Sequence, residues 1–193
     1  MRIYPLLAII FVALLAGCAS APRQTRNICA VFDQRDGLFD SWESASERTS
    51  RKYGIPVPIL MATMYVESGF QPYAKTRRRY VLGFIPWGRV STAYGYSQAL
   101  NGTWDHYRAA TGNWNARRSN FYDAVDFIGW YHAQNSLKTG IPRNDAYSLY
   151  LAYYSGPRGY LNGSWRSDAG LQRTARKFAG MAALYQQQIR SGC

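Results

Sequence analysis

The spacing of apolar and polar residues predicts helices along most of the chain after residue 40. Ser41 is a candidate N-cap for a polar helix that runs to Tyr53 and ends at Gly54. Residues 57–68 are apolar on nearly every face, and Pro58 suits a first helical turn. This segment is therefore expected to form a central, buried helix.

The second half of the chain continues the helical pattern. Asn120 is a candidate cap of one helix, and Gly156-Pro157 is expected to stop another. Residues 75–95 combine Gly, Pro and a basic run with two short apolar runs, which predicts a loop or a small hairpin. The pattern as a whole predicts a mainly α domain with a minor β element. The later helices are predicted at 103–110, after the Asn120 cap with an apolar stripe that reaches Tyr131 or His132, from Asn144 or Asp145 to Tyr154, and along an amphipathic stripe over 171–189.

The start of the chain has a different pattern. Met1-Arg2 precedes an unbroken apolar run over residues 6–15, which is the shape of a secretory signal and too short for a membrane-spanning helix. Residues 15–18 read Leu-Ala-Gly-Cys and resemble the lipobox of bacterial lipoproteins, in which Cys18 is lipidated and becomes the first mature residue. The alternative is an ordinary secreted protein with a chance cysteine.

This interpretation divides the chain into a signal peptide (1–17), a lipidated N-terminal tether (18–35) and one domain (36–193). An N-terminal lipid would hold the protein at a membrane. Ala19 follows the cysteine, and by resemblance to Gram-negative lipoproteins a residue other than Asp there implies the outer membrane. The expected location is therefore the cell envelope, anchored to the outer membrane and facing the periplasm.

Export also changes how the remaining cysteines are interpreted. Without Cys18, only Cys29 and Cys193 remain, and exported proteins meet an oxidising compartment. A disulfide from the start of the domain to its last residue is therefore expected, and two unpaired thiols are the alternative. The two His and three Cys are scattered and leave no zinc signature, so no metal site is predicted.

The charge balance suggests the kind of partner. Lys and Arg number 23 against 11 Asp and Glu, which gives +12 and favours nucleic acid, a membrane surface or an acidic polymer. Nucleic acid is not expected, because the chain has no nucleic-acid motif and an exported protein would not meet that substrate. Aromatic residues make up 16% of the chain, which suits a compact core or a surface that stacks on flat ligands.

One glutamate has an unusual setting. Glu43 and Glu47 lie in the polar helix beside Arg48 and Arg51 and are expected at the surface. Glu67 instead ends the apolar helix, on a stripe that faces the interior. A buried carboxyl either pairs with a cation or takes up a proton, and a raised pKa suits a general acid. A structural pair with an arginine is the alternative.

Three short blocks around this residue carry a family resemblance. Residues 67–74 read ESGFQPYA, residues 93–100 read AYGYSQAL and residues 152–157 read AYYSGP. They resemble the Glu-Ser, Gly-x-x-Gln and Ala-Tyr-Asn-x-Gly-Pro blocks of the soluble-lytic-transglycosylase domain, which is related to goose-type lysozyme. The resemblance implies an α+β, lysozyme-like fold: a helical bundle around a central helix that bears the catalytic Glu67.

The resemblance also implies roles for the block residues. Ser68 and Gln98 are candidates to bind the sugar; the alternatives are a hydroxyl at a helix end for Ser68 and a buried amide satisfied by main chain for Gln98. Tyr153 is a candidate to hold Glu67 by its hydroxyl. Tyr96, Trp87 and Tyr160 are candidates to face sugar rings, and packing is the alternative for each aromatic ring. Two features depart from the family pattern. Tyr154 stands where the family has Asn, and the insertion at 75–92 is expected to reshape the cleft.

The implied reaction needs only one carboxylate. Ordinary glycosidases use two, whereas this family cleaves the MurNAc-GlcNAc β-1,4 bond of peptidoglycan without water and leaves 1,6-anhydromuramic ends. No cofactor is implied. A lysozyme-type hydrolase and a non-catalytic peptidoglycan-binding lipoprotein are the alternatives. Five aspartates at helix starts or on polar faces are expected to act as caps and dipole partners: Asp105, Asp123, Asp126, Asp145 and Asp168.

Overall fold

The computed structural model describes residues 21–35, 41–81 and 85–193, with the backbone alone over the strands of residues 78–89. Helices dominate this part of the chain, which confirms the predicted mainly α fold class. The elements are α1 (Ile28–Phe32), α2 (Trp42–Tyr53), α3 (Val57–Ser68), β1 (Arg78–Val81), β2 (Ile85–Arg89), α4 (Asn101–Thr111), α5 (Phe121–Thr139), α6 (Ala146–Leu161), a 3-10 turn (Ser164–Ser167) and α7 (Ala169–Arg190).

The helix starts follow from local side-chain chemistry. The Ser41 hydroxyl accepts a hydrogen bond from the Ser44 N–H at 3.1 Å, and α2 ends at Gly54 as predicted. Asn120 caps α5 in the same way. Asp145 caps α6 and Asp168 caps α7, so both aspartates have the capping role expected for them.

Helix α3 is the centre of the fold. It packs against α2, α5 and α7, and Leu60, Met61 and Met64 have no exposed surface. Its apolar sequence has no polar face to turn to water, so burial from several sides is its most stable arrangement. The prediction of a central, buried helix is confirmed.

An aromatic cluster beside α3 joins the start of α2, the start of α5 and the segment that follows α3. The ring of Trp42 stacks on Phe121 with centroids 4.0 Å apart and meets Tyr96 edge-on at 5.7 Å. Phe70, which directly follows α3, lies 6.0 Å from the same indole. These contacts fix the segment after α3 against α2 and α5.

Helix α6 continues past its predicted end. Gly156 has φ 70° and ψ 166°, a conformation open in practice only to glycine, and it kinks the helix there. Pro157 then begins a new helical segment, because proline fits a first turn. The signal at Gly156-Pro157 therefore produces a kink, and the helix runs on to Leu161.

The two ends of the described chain meet. Helix α1 packs against α7, and Cys29 forms the predicted disulfide with Cys193. Closing a loop of 164 residues stabilises the fold by about 2 to 5 kcal/mol, chiefly by restricting the unfolded chain. Ile28 and Val31 are fully buried, so the C-terminal part of the predicted tether packs with the domain.

Several predictions concern the start of the chain. The signal peptide (1–17) and the lipidation site Cys18 lie outside the described residues, as do residues 36–40 at the predicted domain start. In the parts that are described, no helix combines the length and apolar character that crossing a membrane requires.

The segment predicted as a loop or hairpin forms a hairpin. Strands β1 and β2 pair antiparallel, with Val81 opposite Ile85 and a register irregularity between Arg78 and Tyr80. The Lys75–Tyr94 bridge ties the base of this insertion to the 93–100 block, and the Tyr94–Ala99 bridge lies within that block. The insertion therefore borders the loop that follows it.

Candidate active site

A cleft of about 560 Å³ lies at the C-terminal end of α3. One of its walls comes from the hairpin base and the 93–100 block, and the other comes from α4, α5 and α6. Both walls carry apolar surface, and Val90, Leu100 and Tyr154 are each about half exposed or more. The residues that line the cleft are Glu67, Thr76, Val90, Ser91, Ala93, Gln98, Ala99, Leu100, Thr103, Phe127, Tyr131, Tyr153 and Tyr154.

Glu67 stands in the last turn of α3, just before the helix ends at Gly69. Glu67 as a whole is partly exposed to the cleft, but protein surrounds most of its carboxyl group. Burial disfavours the charged form and raises the pKa of Glu67 from 4.5 to about 7. Near neutral pH this side chain is therefore divided between acid and carboxylate.

A tyrosine hydroxyl orients the carboxyl group. The Tyr150 O–H donates to Glu67 Oε1 at 2.9 Å, and this bond lowers the pKa of Glu67 against the larger effect of burial. The family resemblance implies this contact for Tyr153. The Tyr153 hydroxyl instead donates to the Ser97 carbonyl at 2.7 Å.

The sequence signal for Tyr150 is helical spacing. Tyr150, Tyr153 and Tyr154 are separated by three and four positions on α6, so they lie on one face. The family block includes only the last two residues of this face, which explains why Tyr150 was missed. Tyr131 and Thr103 line the cleft from α5 and α4, and no motif marks them.

Gln98 is held in the cleft by main-chain contacts. Its Nε2 donates to the Ala74 carbonyl at 3.1 Å and to the Gly95 carbonyl at 2.8 Å. No described group donates to its Oε1, which leaves that oxygen able to accept a hydrogen bond from a ligand. Its φ of 49° shows that the loop holds this residue in the left-handed region.

The loop around Gln98 packs tightly on the start of α5. A Cβ at Gly95 would lie 2.1 Å from the Arg118 carbonyl oxygen, so only glycine fits. The Arg118 guanidinium donates to the Ala99 carbonyl at 2.8 Å and to the Thr92 carbonyl at 3.1 Å. One arginine therefore fastens both ends of the loop that carries Gln98.

Other candidates from the sequence lie elsewhere. Ser68 donates back to the Met64 carbonyl at 3.1 Å and is not among the residues that line the cleft. Tyr96 is 1% exposed and packs in the aromatic cluster, so it offers no ring face to a sugar. Tyr160 stacks on Trp165. The Trp87 side chain lies outside the described part of the hairpin.

Tyr154, which replaces the family Asn, is in the cleft. Its side chain is 66% exposed. It presents an aromatic ring where an amide would present hydrogen-bonding groups.

The described aspartates have partners away from the cleft. Asp126 binds Lys52 at 2.8 Å and accepts hydrogen bonds from the hydroxyls of Tyr53 and Tyr107, so it joins α5 to α2 and α4 and does not cap a helix. Asp123 accepts from the Arg117 N–H at 2.8 Å, and Asp105 lies 3.5 Å from Arg108. Among the residues that line the cleft, Glu67 is the one carboxyl group.

The electrostatics of the cleft differ from those of a metal site. Over the described ranges, no cluster of three or more His, Cys, Asp or Glu is placed to hold a metal ion. No ion pair to Glu67 occurs among the described side chains either, so no arginine among them supplies the structural pair that was the alternative. A lone carboxyl with a raised pKa in an open cleft is equipped to donate a proton and then to accept one.

The comparison with family models agrees with this geometry. Residues 6–193 match the model described as the transglycosylase SLT domain. No match to the chain was found among curated proteins. The match extends over nearly the whole chain, and the chain therefore belongs to this family of transglycosylase-type enzymes, whose substrate is peptidoglycan.

Proposed function

We propose that this protein is a peptidoglycan lytic transglycosylase that cleaves the MurNAc-GlcNAc β-1,4 bond without water, with Glu67 as acid and then base. The observation that carries the proposal is a lone carboxyl group in the cleft with a pKa of about 7. A protonated Glu67 supplies the proton that the leaving oxygen needs, and its conjugate base then removes a proton from the substrate.

The first step breaks the glycosidic bond. Glu67 gives its proton to the bridging oxygen, the C1–O bond breaks and GlcNAc leaves with a free 4-hydroxyl group. The N-acetyl oxygen of the muramic residue supplies the electron pair that C1 then lacks. This assistance replaces the second carboxylate that ordinary glycosidases use.

The second step closes the anhydro ring. The Glu67 carboxylate takes the proton of the C6 hydroxyl, and O6 attacks C1 as the N-acetyl oxygen leaves. The carboxyl group is protonated again, and no water is consumed. The shortage of carboxylates in the cleft favours this route over hydrolysis, since a two-carboxylate mechanism lacks its second group.

The cleft residues fit supporting roles. We propose that the Gln98 Oε1 accepts a hydrogen bond from a sugar hydroxyl or acetamido N–H, since its amide nitrogen is already engaged. The exposed apolar surfaces of Val90, Leu100 and Tyr154 suit the apolar faces of sugar rings. The net charge of +12 favours residence near the acidic groups of peptidoglycan.

Digestion of purified sacculi tests the reaction. We expect the wild-type protein to release fragments with 1,6-anhydromuramic ends, identified by mass spectrometry. Glu67→Gln retains the size of the side chain but cannot donate a proton, so release should fall about 10²- to 10⁴-fold. Glu47→Gln, at the exposed surface of α2, is the matched control and should behave as wild type. Reducing ends would instead identify a hydrolase, and no release would identify a binding protein.

The Tyr150 hydrogen bond generates a second test. In Tyr150→Phe the pKa of Glu67 should rise further, because the bond that lowers it is lost. The limb of the pH–rate profile where activity falls with rising pH should then move to higher pH. We expect a threefold to tenfold loss of kcat, about the value of one hydrogen bond. Tyr153→Phe is the comparison, and an equal shift of the limb in that variant would contradict the assignment.

We also propose that the protein is anchored to the outer membrane through a lipid on Cys18. The support is the sequence pattern of residues 1–19. Cys18→Ser should move the protein from the membrane fraction to the soluble periplasmic fraction after cell fractionation. The anchor would be refuted if the variant stayed in the membrane fraction and the wild-type protein carried no fatty acid.

A further inference from the structure

A second pocket adjoins the cleft. It has a volume of about 260 Å³ and lies between α4, α5 and the kink of α6 at Pro157. Thr103 and Tyr131 line both this pocket and the cleft that holds Glu67. We call it the α4–α5 pocket; any group bound there would be next to a glycan strand in the cleft.

The α4–α5 pocket contains a buried amide without a proper partner. Asn135 is 0% exposed and lines the pocket, yet neither its Oδ1 nor its Nδ2 makes a hydrogen bond of normal geometry. The Tyr131 hydroxyl is the group that interacts with this amide, which lowers its burial-raised pKa. Buried polar groups in native proteins are nearly always fully satisfied, and a polar ligand in the pocket would complete the hydrogen bonding of this amide.

The rim of the pocket is cationic. Lys138 is exposed and stands one turn beyond Gln134 on the same face of α5. His106 faces them from α4. No carboxylate occurs among the residues that line the pocket, and no described acid pairs with Lys138. An anionic group would therefore be attracted there.

The aromatic rings of the pocket are turned toward one another. Tyr131 stacks on Phe127 at 5.7 Å and on Trp130 at 6.2 Å, and Tyr153 meets it edge-on. Trp130 is only 6% exposed, and His106 covers it edge-on. Trp130 and Tyr131 are thus engaged with neighbouring rings, whereas amides and a cation remain to bind a peptide with free carboxylates.

We propose that the α4–α5 pocket binds the carboxylate-bearing peptide stem of the muramic residue that occupies the cleft. The proposal rests on the proposed function, which places muramic acid beside Glu67. An extended peptide of three residues spans about 10 Å, enough to pass from the cleft into an adjoining pocket. Asn135 and Gln134 pair with peptide groups of the stem, and Lys138 pairs with a stem carboxylate. The enzyme then prefers glycan strands that carry peptides.

Two substrates from the same sacculi test this preference. One consists of glycan strands with intact stems, and the other of strands stripped by an amidase that cleaves the lactyl-peptide bond. The measured quantity is the ratio of kcat/KM on the two substrates, from the formation of anhydro ends. We expect a ratio above one for wild type and a threefold to fivefold lower ratio for Lys138→Ala, mainly through KM.

Two variants control for charge. Lys138→Arg retains the cation and should retain the wild-type ratio. Arg176→Ala removes one charge at an exposed site of α7 that lines none of these pockets, and it should also retain the ratio. A wild-type ratio of one, or equal ratios for Lys138→Ala and Arg176→Ala, would overturn the proposal while leaving the lytic activity in place.

A binding experiment covers the case in which no anhydro product forms. Calorimetry compares N-acetylmuramyl-L-alanyl-D-glutamate with N-acetylmuramic acid. We expect tighter binding of the peptide-bearing compound, and a loss of that advantage in Asn135→Ala. Inactivity with this binding pattern would refute the proposed function and support the pocket, whereas equal binding of both compounds would refute the pocket.

Discussion

The candidate active site depends on holding one carboxyl group, that of Glu67, at the border between protein and solvent. Burial raises the pKa of Glu67 from 4.5 to about 7, and a single hydroxyl donor limits that rise. The folded protein consequently binds a proton more tightly than the unfolded chain, and stability falls as the pH rises from about 4.5 to 7. Above that range the charged form costs about 3 kcal/mol, and at low pH the cost is absent.

The remainder of the fold keeps this group in place. Helix α3 is buried on several sides, so the position of its last turn is set by the core. Tyr150 and Tyr153 extend from one face of α6, the first to Glu67 and the second to the loop that carries Gln98. Arg118 fastens the same loop from the start of α5. Contacts with the helical core therefore hold both walls of the cleft in place.

The hydrophobic periodicity of the chain was sufficient to predict the helices and the central position of α3. It also placed Glu67 on a stripe that faces the interior, but the choice between a catalytic carboxyl group and a structural ion pair depended on the family resemblance. Tertiary contacts decided the rest. The sequence could not distinguish a core tyrosine from a cleft tyrosine, so Tyr96 was placed in the site and Tyr150 was missed. Likewise, Gly156-Pro157 produced a kink and did not end α6, because contacts with α7 and the 3-10 turn stabilise the helix beyond the kink.

The most direct measurement is the titration of Glu67 itself. The chain contains three glutamates, Glu43, Glu47 and Glu67. Carbon-13 labelling of Glu carboxyl groups should therefore give three NMR signals, and Glu67→Gln identifies one of them. The account predicts that this signal titrates with a pKa near 7. Titration of all three signals near 4.5 would show that Glu67 is an ordinary solvated carboxylate and would contradict it.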